Sequence, residues 1–164
     1  MTALALPKRE VKTVHAYEDD SALASLLGAL LADPDGSVDR GMLEEFGSPW
    51  GSDFAYLGGG DLVLLSEGGR AVAGGAYRRY DSTTAQLGWL WTRPDRRRTG
   101  LGRQVLGELE SSAIWRGYDR VYAVAGPGQN SARELFAVGG YRAVGRRVSE
   151  DEYLGFVRMV GWED

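Results

Sequence analysis

Between Arg93 and Arg103 the chain carries five arginines, Arg93, Arg96, Arg97, Arg98 and Arg103, against one acid, Asp95, although the whole protein has a formal net charge of -4. A local basic cluster on an acidic chain suits a polyanionic ligand of limited size and is a poor fit to general nucleic-acid binding. The cluster runs into Thr99-Gly100-Leu101-Gly102, where a helix is expected to start. A helix start offers unpaired N–H groups and the positive end of the dipole, both suited to phosphate oxygens. Glycines at 100 and 102 would let a pyrophosphate approach the backbone, and Arg97 and Arg98 could add charge-assisted bonds. Taken alone, these residues fit a solvated charged turn equally well. No Gly-Lys-Ser or Gly-Lys-Thr occurs, and no GxGxxG pattern follows the first strand, so the common nucleotide-binding loops are absent.

The elements that must position this segment are legible from periodicity. A strand over 11–17 is followed by an apolar helix through Leu23, Leu26, Leu27, Leu30 and Leu31 and a short helix over 39–46. The Gly58-Gly59-Gly60 triplet reads as a flexible loop. Strands follow over 62–65, 70–80 and 85–92, the first two as a hairpin turning at Glu67-Gly68-Gly69. Residues 100–115 carry helical spacing through Leu101, Val105, Leu109 and Ala113, ended at Gly117. A strand over 120–125, a helix from Asn130 to Val138 stopped by Gly139-Gly140, and closing strands over 141–148 and 153–160 complete the order. The expected fold is α/β (α+β), a single mixed, mostly antiparallel sheet flanked by helices. At 164 residues, 43% apolar and 26% charged, the chain reads as one domain over residues 1–164.

Arg97-Arg98-Thr99-Gly100-Leu101-Gly102 resembles the Gln/Arg-x-x-Gly-x-Gly/Ala signature of the GNAT (GCN5-related N-acetyltransferase) family, with Pro94 at the usual interval before it. The segment from Asn130 to Tyr141 is similar to that family's Asn-x-x-Ala-x-x-Leu-Tyr-x-x-x-Gly-Phe. The resemblance implies a GNAT-like fold and an acetyl-CoA cosubstrate. It further implies that the backbone at Leu90, Trp91 and Thr92 runs beside the pantetheine arm and that the Arg98–Gly102 amides, with Arg97 and Thr99 nearby, hold the pyrophosphate. Asn130 would bond the pantetheine or position the thioester region, and Arg133 or Phe136 would line the cofactor edge. The family usually parts the strands ending near Thr92 and Ala125 to admit the cofactor.

Two positions depart from the family pattern. Phe136 stands where a tyrosine often serves as general acid, and Gln86 where a glutamate is frequent; neither can exchange a proton as those residues would. No catalytic residue is assigned. His15, Tyr122, Ser131, Glu44, Glu45, Asp53 and Asp61 are candidates, each with a bland alternative as surface, cap or core. Tyr141 reads as core. By strand alternation Trp89 and Trp91 share one face and Leu90 takes the other, which would favour an aromatic acceptor if that face opens to the cleft.

The absence of cysteine excludes disulfides, thiolate metal sites and a cysteine nucleophile, and no metal requirement follows from the residues. The apolar start over residues 1–7 is too short for a signal peptide and no run reaches a bilayer span, so a soluble cytoplasmic protein without membrane or nucleic-acid partners is expected. The function expected is acetyl transfer from acetyl-CoA to a primary amine, of a small molecule first and of a peptide second, in a ternary complex. A non-catalytic coenzyme A-binding regulator is the reading from another class. A homodimer through residues 153–160 is a further expectation if that run is an exposed edge; it could equally be an internal strand.

Overall fold

The computed structural model describes residues 11–15, 59–68, 70–125, 130–147 and 154–161. The helices expected over 23–31 and 39–46, together with Glu44, Glu45, Trp50 and Asp53, lie outside the described residues. The strands are β1 (Val11–His15), β2 (Asp61–Glu67), β3 (Arg70–Arg79), β4 (Thr84–Thr92), β5 (Arg120–Ala125), β6 (Arg142–Arg147) and β7 (Leu154–Met159). The helices are α1 (Leu101–Trp115) and α2 (Asn130–Val138), with a short 3-10 turn over Pro94–Arg96.

Among the described residues all seven strands form one sheet in the order β1-β2-β3-β4-β5-β7-β6. Every neighbouring pair is antiparallel except β4 and β5, which run parallel because α1 crosses between them. The sheet is therefore mixed and mostly antiparallel, as the sequence implied. β7 lies between β5 and β6, so of the two readings open for residues 153–160 the internal strand is the one found, and β6 forms that edge.

α1 packs across β2, β3 and β4, and α2 packs on β5 and β6. The repeat Leu101, Val105, Leu106, Leu109 and Ala113 buries one face of α1 into a core shared with Val63, Leu65, Tyr77, Leu87 and Val121. Phe136 of α2 joins the same core against Tyr141 and Phe156, each ring centroid 5.3 Å away. Both helices end in a Schellman turn on a glycine with positive φ. Gly117 and Tyr118 donate to Ile114 and Ala113, while Gly140 and Tyr141 donate to Ala137 and Phe136. At the second turn the residue after the glycine, Tyr141, stacks on the Phe136 ring whose carbonyl it caps.

Two polar networks are built into this core. The Asp61 carboxylate, fully buried, accepts from the Leu62 amide at 2.8 Å and from Ser112 Oγ at 2.5 Å, and Ser112 meets the Tyr77 hydroxyl at 2.9 Å. Asp61 is thus a structural anchor between β2 and α1, not an acid of an acceptor cleft. The Glu110 carboxylate accepts from Tyr141 and Arg158, tying α1 to β7. The Gly59 and Gly60 carbonyls accept from the Tyr118 hydroxyl and Arg116, so this part of the glycine triplet is tied down rather than a loose loop.

Burial pushes the Tyr77 and Tyr141 hydroxyls above the usual tyrosine range; next to Tyr141, the Glu110 charge adds to the rise. The unfolded chain loses these protons near pH 10 while the folded protein keeps them, so their contribution is intact below that pH and lost above it. Urea unfolding followed from pH 7 to 11 should show stability level to about pH 9 and falling beyond. Changing both residues to phenylalanine should flatten the alkaline fall and lower neutral stability by about 0.5–1.5 kcal/mol per lost hydrogen bond.

Candidate functional site at the β4–β5 opening

β4 and β5 pair only at Thr84–Arg120, Ala85–Val121 and Gln86–Tyr122. Beyond these three pairs β4 continues to Thr92 and β5 to Ala125 with no register between them. The middle of the sheet thus opens toward the ends of both strands, the parting that the family resemblance implied. Backbone donors and acceptors along the opening need partners other than the neighbouring strand, and an amide-bearing ligand or water can supply them.

The opening is shaped by a bulge. Gly74 pairs with Trp91 and Ala76 with Gly88, so Trp89 and Leu90 together oppose Gly75. A Cβ at Gly75 would lie 2.7 Å from Leu90, 3.1 Å from Leu109 and 3.2 Å from Val105, so no side chain fits there without a shift. Leu90 uses that space to reach the α1 side. Alternation restarts one residue late: Leu87 and Leu90 pack toward the core below α1, and Trp91, paired with Gly74, takes the opposite face. Leu90 and Trp91 thus take opposite faces, as alternation implied. Trp91 is 6% exposed, so its indole does not line an open cleft; the Trp89 side chain lies outside what is described.

At the end of β4 the Arg93 amide donates to Val72 O at 2.8 Å, and the 3-10 turn follows. The chain then takes left-handed conformations at Arg98 (φ 62) and Gly100 (φ 87) before α1 begins. Gly100 occupies the N-cap position and supplies no side-chain hydrogen bond, so the first-turn amides of α1 have no side-chain cap from that position. Such alternation just before a helix is the geometry of anion-binding backbone concavities.

The arginines divide by role. Arg93 pairs with Asp95 at 2.5 Å and holds that carboxyl below the usual range. Arg96 reaches back to Glu67 at the end of β2, at 2.7 Å. Arg97 donates from Nε to Thr92 O at 3.3 Å, while the Thr99 hydroxyl bonds the Arg96 carbonyl, closing the loop on itself. Arg98 and Arg103 are exposed beside the helix start. Two of the five cations are thus engaged with structural acids, and the loop keeps a cationic surface at Arg98 and Arg103.

The structure brings Thr92, the loop from Arg97 to Gly100 and the first turn of α1 to one place, with α2 against it. A Cβ at Gly102 would sit 3.5 Å from Leu135 of α2 and 3.7 Å from Thr92 Oγ1, ordinary contacts. Leu101 is a core residue, so only its backbone can face a ligand. Arg133 is half-buried on α2, and Asn130 begins α2 with its side chain, like that of Ser131, outside what is described. Phe136 is 1% exposed, so it is a core residue rather than part of the cofactor edge the resemblance implied. Its place at the third position from the end of α2, beneath the Schellman turn, directs the ring inward.

The sequence profile of the acetyltransferase (GNAT) family matches residues 14–141. The chain belongs to the GNAT acetyltransferase family. No curated protein matches the sequence. Among solved structures, an acetyltransferase from Streptococcus agalactiae is similar with a TM-score of 0.73 at 16% identity, over 92% of this chain and 98% of that one. The ribosomal-protein-S18-alanine N-acetyltransferase of Escherichia coli gives 0.65 at 14% identity, over 95% and 96%. A GNAT family acetyltransferase from Elizabethkingia anophelis, solved with acetyl-CoA bound, gives 0.58 at 16% identity, over 80% and 88%. At these identities the likeness is one of fold.

In this GNAT chain Gln86 is 4% exposed, and its Oε1 accepts from Arg78 Nε at 3.0 Å. An arginine can only donate, which fixes the orientation of the amide and leaves its NH2 end as a donor. Of the residues the sequence did not single out, Gly75 shapes the opening most directly. The glycine pair inside β3 was the available signal, since glycine within a strand marks a bulge or a close approach.

Gly75→Leu should destabilise the protein by about 1–3 kcal/mol, because overfilling the Leu90–Leu109 contact forces strain on both sides of the bulge. Gly102→Ala, by contrast, should leave stability unchanged or raise it by about 0.5 kcal/mol, since alanine is the better helix former and its Cβ fits. Chemical denaturation of the two variants beside the parent checks both.

Proposed function

We propose that this protein is an acyl-coenzyme A-dependent N-acetyltransferase that moves an acetyl group from acetyl-CoA to a primary amine of a small molecule, within a ternary complex. The observation that carries the reading is the conjunction of the β4–β5 opening with an uncapped, cation-flanked α1 start at its mouth. One end suits an extended amide-bearing arm and the other a pyrophosphate, which is the layout of coenzyme A. The acetyl-CoA in the Elizabethkingia anophelis relative of the same fold supports it.

The fit to coenzyme A holds on several features of this chain. The first-turn amides of α1 have no side-chain cap, Gly102 adds no bulk beside Thr92, and Arg98 stands exposed next to them. Acetyl-CoA, when bound, supplies an acetyl thioester as the acyl donor. The main-chain amides around Leu90 and Trp91, at the bulge, would stabilise charge developing on the carbonyl oxygen. Asn130 and Arg133, at the start of α2, would hold the pantetheine arm.

Proton transfer distinguishes this protein from relatives with titrating side chains at the two departed positions. Phe136 has no proton to give and is enclosed in the core, and Gln86 is a neutral amide bonded to Arg78. The reading is that the amine surrenders its proton to water and reacts from its free-base fraction. The rate with a simple alkylamine should then climb about tenfold per pH unit between pH 6 and 9, following the amine's own pKa near 10. A plateau near neutrality would instead reveal a base on the enzyme.

Calorimetric titration of cofactor-free protein with acetyl-CoA is the direct test. Saturable binding is expected, weakened at least about tenfold by a bulky replacement such as Gly102→Phe, whose side chain would crowd the phosphate-binding amides. Coenzyme A release with a panel of primary amines should accompany it. Binding without turnover on any amine or peptide would favour a coenzyme A-responsive regulator; no binding by folded protein would overturn the assignment.

A further inference from the structure

An amine must reach the opening from a side that is not filled. The α1 side is closed by Val105, Leu109, Phe136 and the rest of the core. The other face is crossed, at the last β4–β5 pair, by one row of cross-strand neighbours: Arg78, Gln86, Tyr122, Val157 and Arg142. Tyr122 stands where β4 and β5 part, and it is half-buried. Its ring lies 5.6 Å from that of Tyr80, tilted by 47°, and Tyr80 is 61% exposed.

The position of the Tyr122 ring depends on a glycine. A Cβ at Gly155 of β7 would stand 3.1 Å from Tyr122 Cε2 and 3.3 Å from its hydroxyl. The ring therefore lies against Gly155 of β7. Any larger residue at 155 would displace it. The row itself holds two arginines and no carboxylate, which disfavours a polycation at this face.

We propose that Tyr80 and Tyr122 form the acceptor-binding wall of the site, that they take an amine carrying a planar aromatic group, and that Gly155 sets the specificity by parking the Tyr122 ring beside the opening. The proposal rests on the acyltransferase reading above. Two tyrosine faces at an angle offer a third ring an edge-to-face or offset contact, whereas an alkyl chain gains only area. The tyrosines also supply the aromatic preference that Trp91 does not, since it is enclosed.

The test uses protein saturated with coenzyme A and three probes: 2-phenylethylamine, hexylamine and spermidine, with affinities measured by ligand-observed NMR. 2-Phenylethylamine should bind about fivefold more tightly than hexylamine, the share one aromatic contact contributes, and spermidine should bind more weakly than both. Tyr122→Leu and Gly155→Val should each shrink the aromatic preference to less than about twofold, while coenzyme A affinity stays within about twofold of the parent. If Gly155→Val does not fold, Gly155→Ala, which displaces the ring by a few tenths of an ångström, replaces it. Equal or tighter binding of hexylamine or spermidine, a preference untouched by both variants, or no amine binding to protein that binds coenzyme A normally would each overturn the proposal. Failure of the parent to bind coenzyme A would instead defeat the acyltransferase reading.

Discussion

Three residue pairs hold the two halves of this sheet together. Thr84 to Gln86 against Arg120 to Tyr122 is the whole of the registered pairing between β4 and β5, and everything else about the site follows from its brevity. A sheet that parts in its middle leaves backbone groups without a strand partner, and each costs free energy unless water or a ligand satisfies it. It also loses the cross-strand packing that would keep its halves in register. The molecule compensates beneath the opening. α1 braces β2, β3 and β4, α2 sits on β5 and β6, and the two helices touch each other, with Leu135 beside Gly102 and Leu106 beside Gly139. Apolar packing below thus substitutes for hydrogen bonding above, and the strand ends stay open without the halves separating.

The same opening explains why glycine recurs around it for unrelated reasons. Gly75 is required by volume, because Leu90, Leu109 and Val105 converge on the space a side chain would fill. Gly100 is required by conformation: its φ of 87 is one that other residues adopt only with strain, while nothing lies near its absent side chain. Gly102 is required by neither, since a methyl there would make ordinary contacts within the protein. A glycine with no internal reason to exist, at the first turn of a helix whose amides are uncapped, points outward to whatever those amides receive. Arginine divides in a similar way. Arg93 and Arg96 spend their charge on Asp95 and Glu67, fixing the loop, and Arg98 leaves its charge on the surface.

Much of this architecture was legible in the chain because its signals are local. The helical repeat from Leu101 to Ala113, the glycines that end both described helices, and the strands β3, β4 and β5 follow from spacing and turn chemistry within a dozen residues. What escaped is non-local. That β7 threads between β5 and β6 is a choice between strand partners that no periodicity encodes. The bulge opposite Gly75 breaks the period of two that sequence reading assumes, so the faces of Leu90 and Trp91 came out reversed relative to β4's earlier residues. Asp61 looked available as an acid because a carboxylate in a loop-rich region is usually solvated; its burial depends on Ser112, fifty-one residues away.

The two positions where this chain departs from its family are linked by the same packing. At Phe136 the helix C-terminus turns the ring into a three-aromatic cluster with Tyr141 and Phe156, where a hydroxyl would need a buried partner of its own. At Gln86 a carboxylate would face Arg78 at 3.0 Å and be held ionised by it, a weak base at neutral pH. Both sites are therefore closed to proton transfer by their neighbours, whichever residue occupied them. On the proposed reaction, rate enhancement then has to come from holding amine and thioester together and from fixed backbone dipoles at the bulge, two sources that need no titrating side chain and that can each lower a barrier by several kcal/mol. A site of that kind is sensitive to strand geometry before it is sensitive to side-chain identity, which places the three pairs at the foot of the opening, and the glycine opposite the bulge, closer to the chemistry than any acid or base in the described chain.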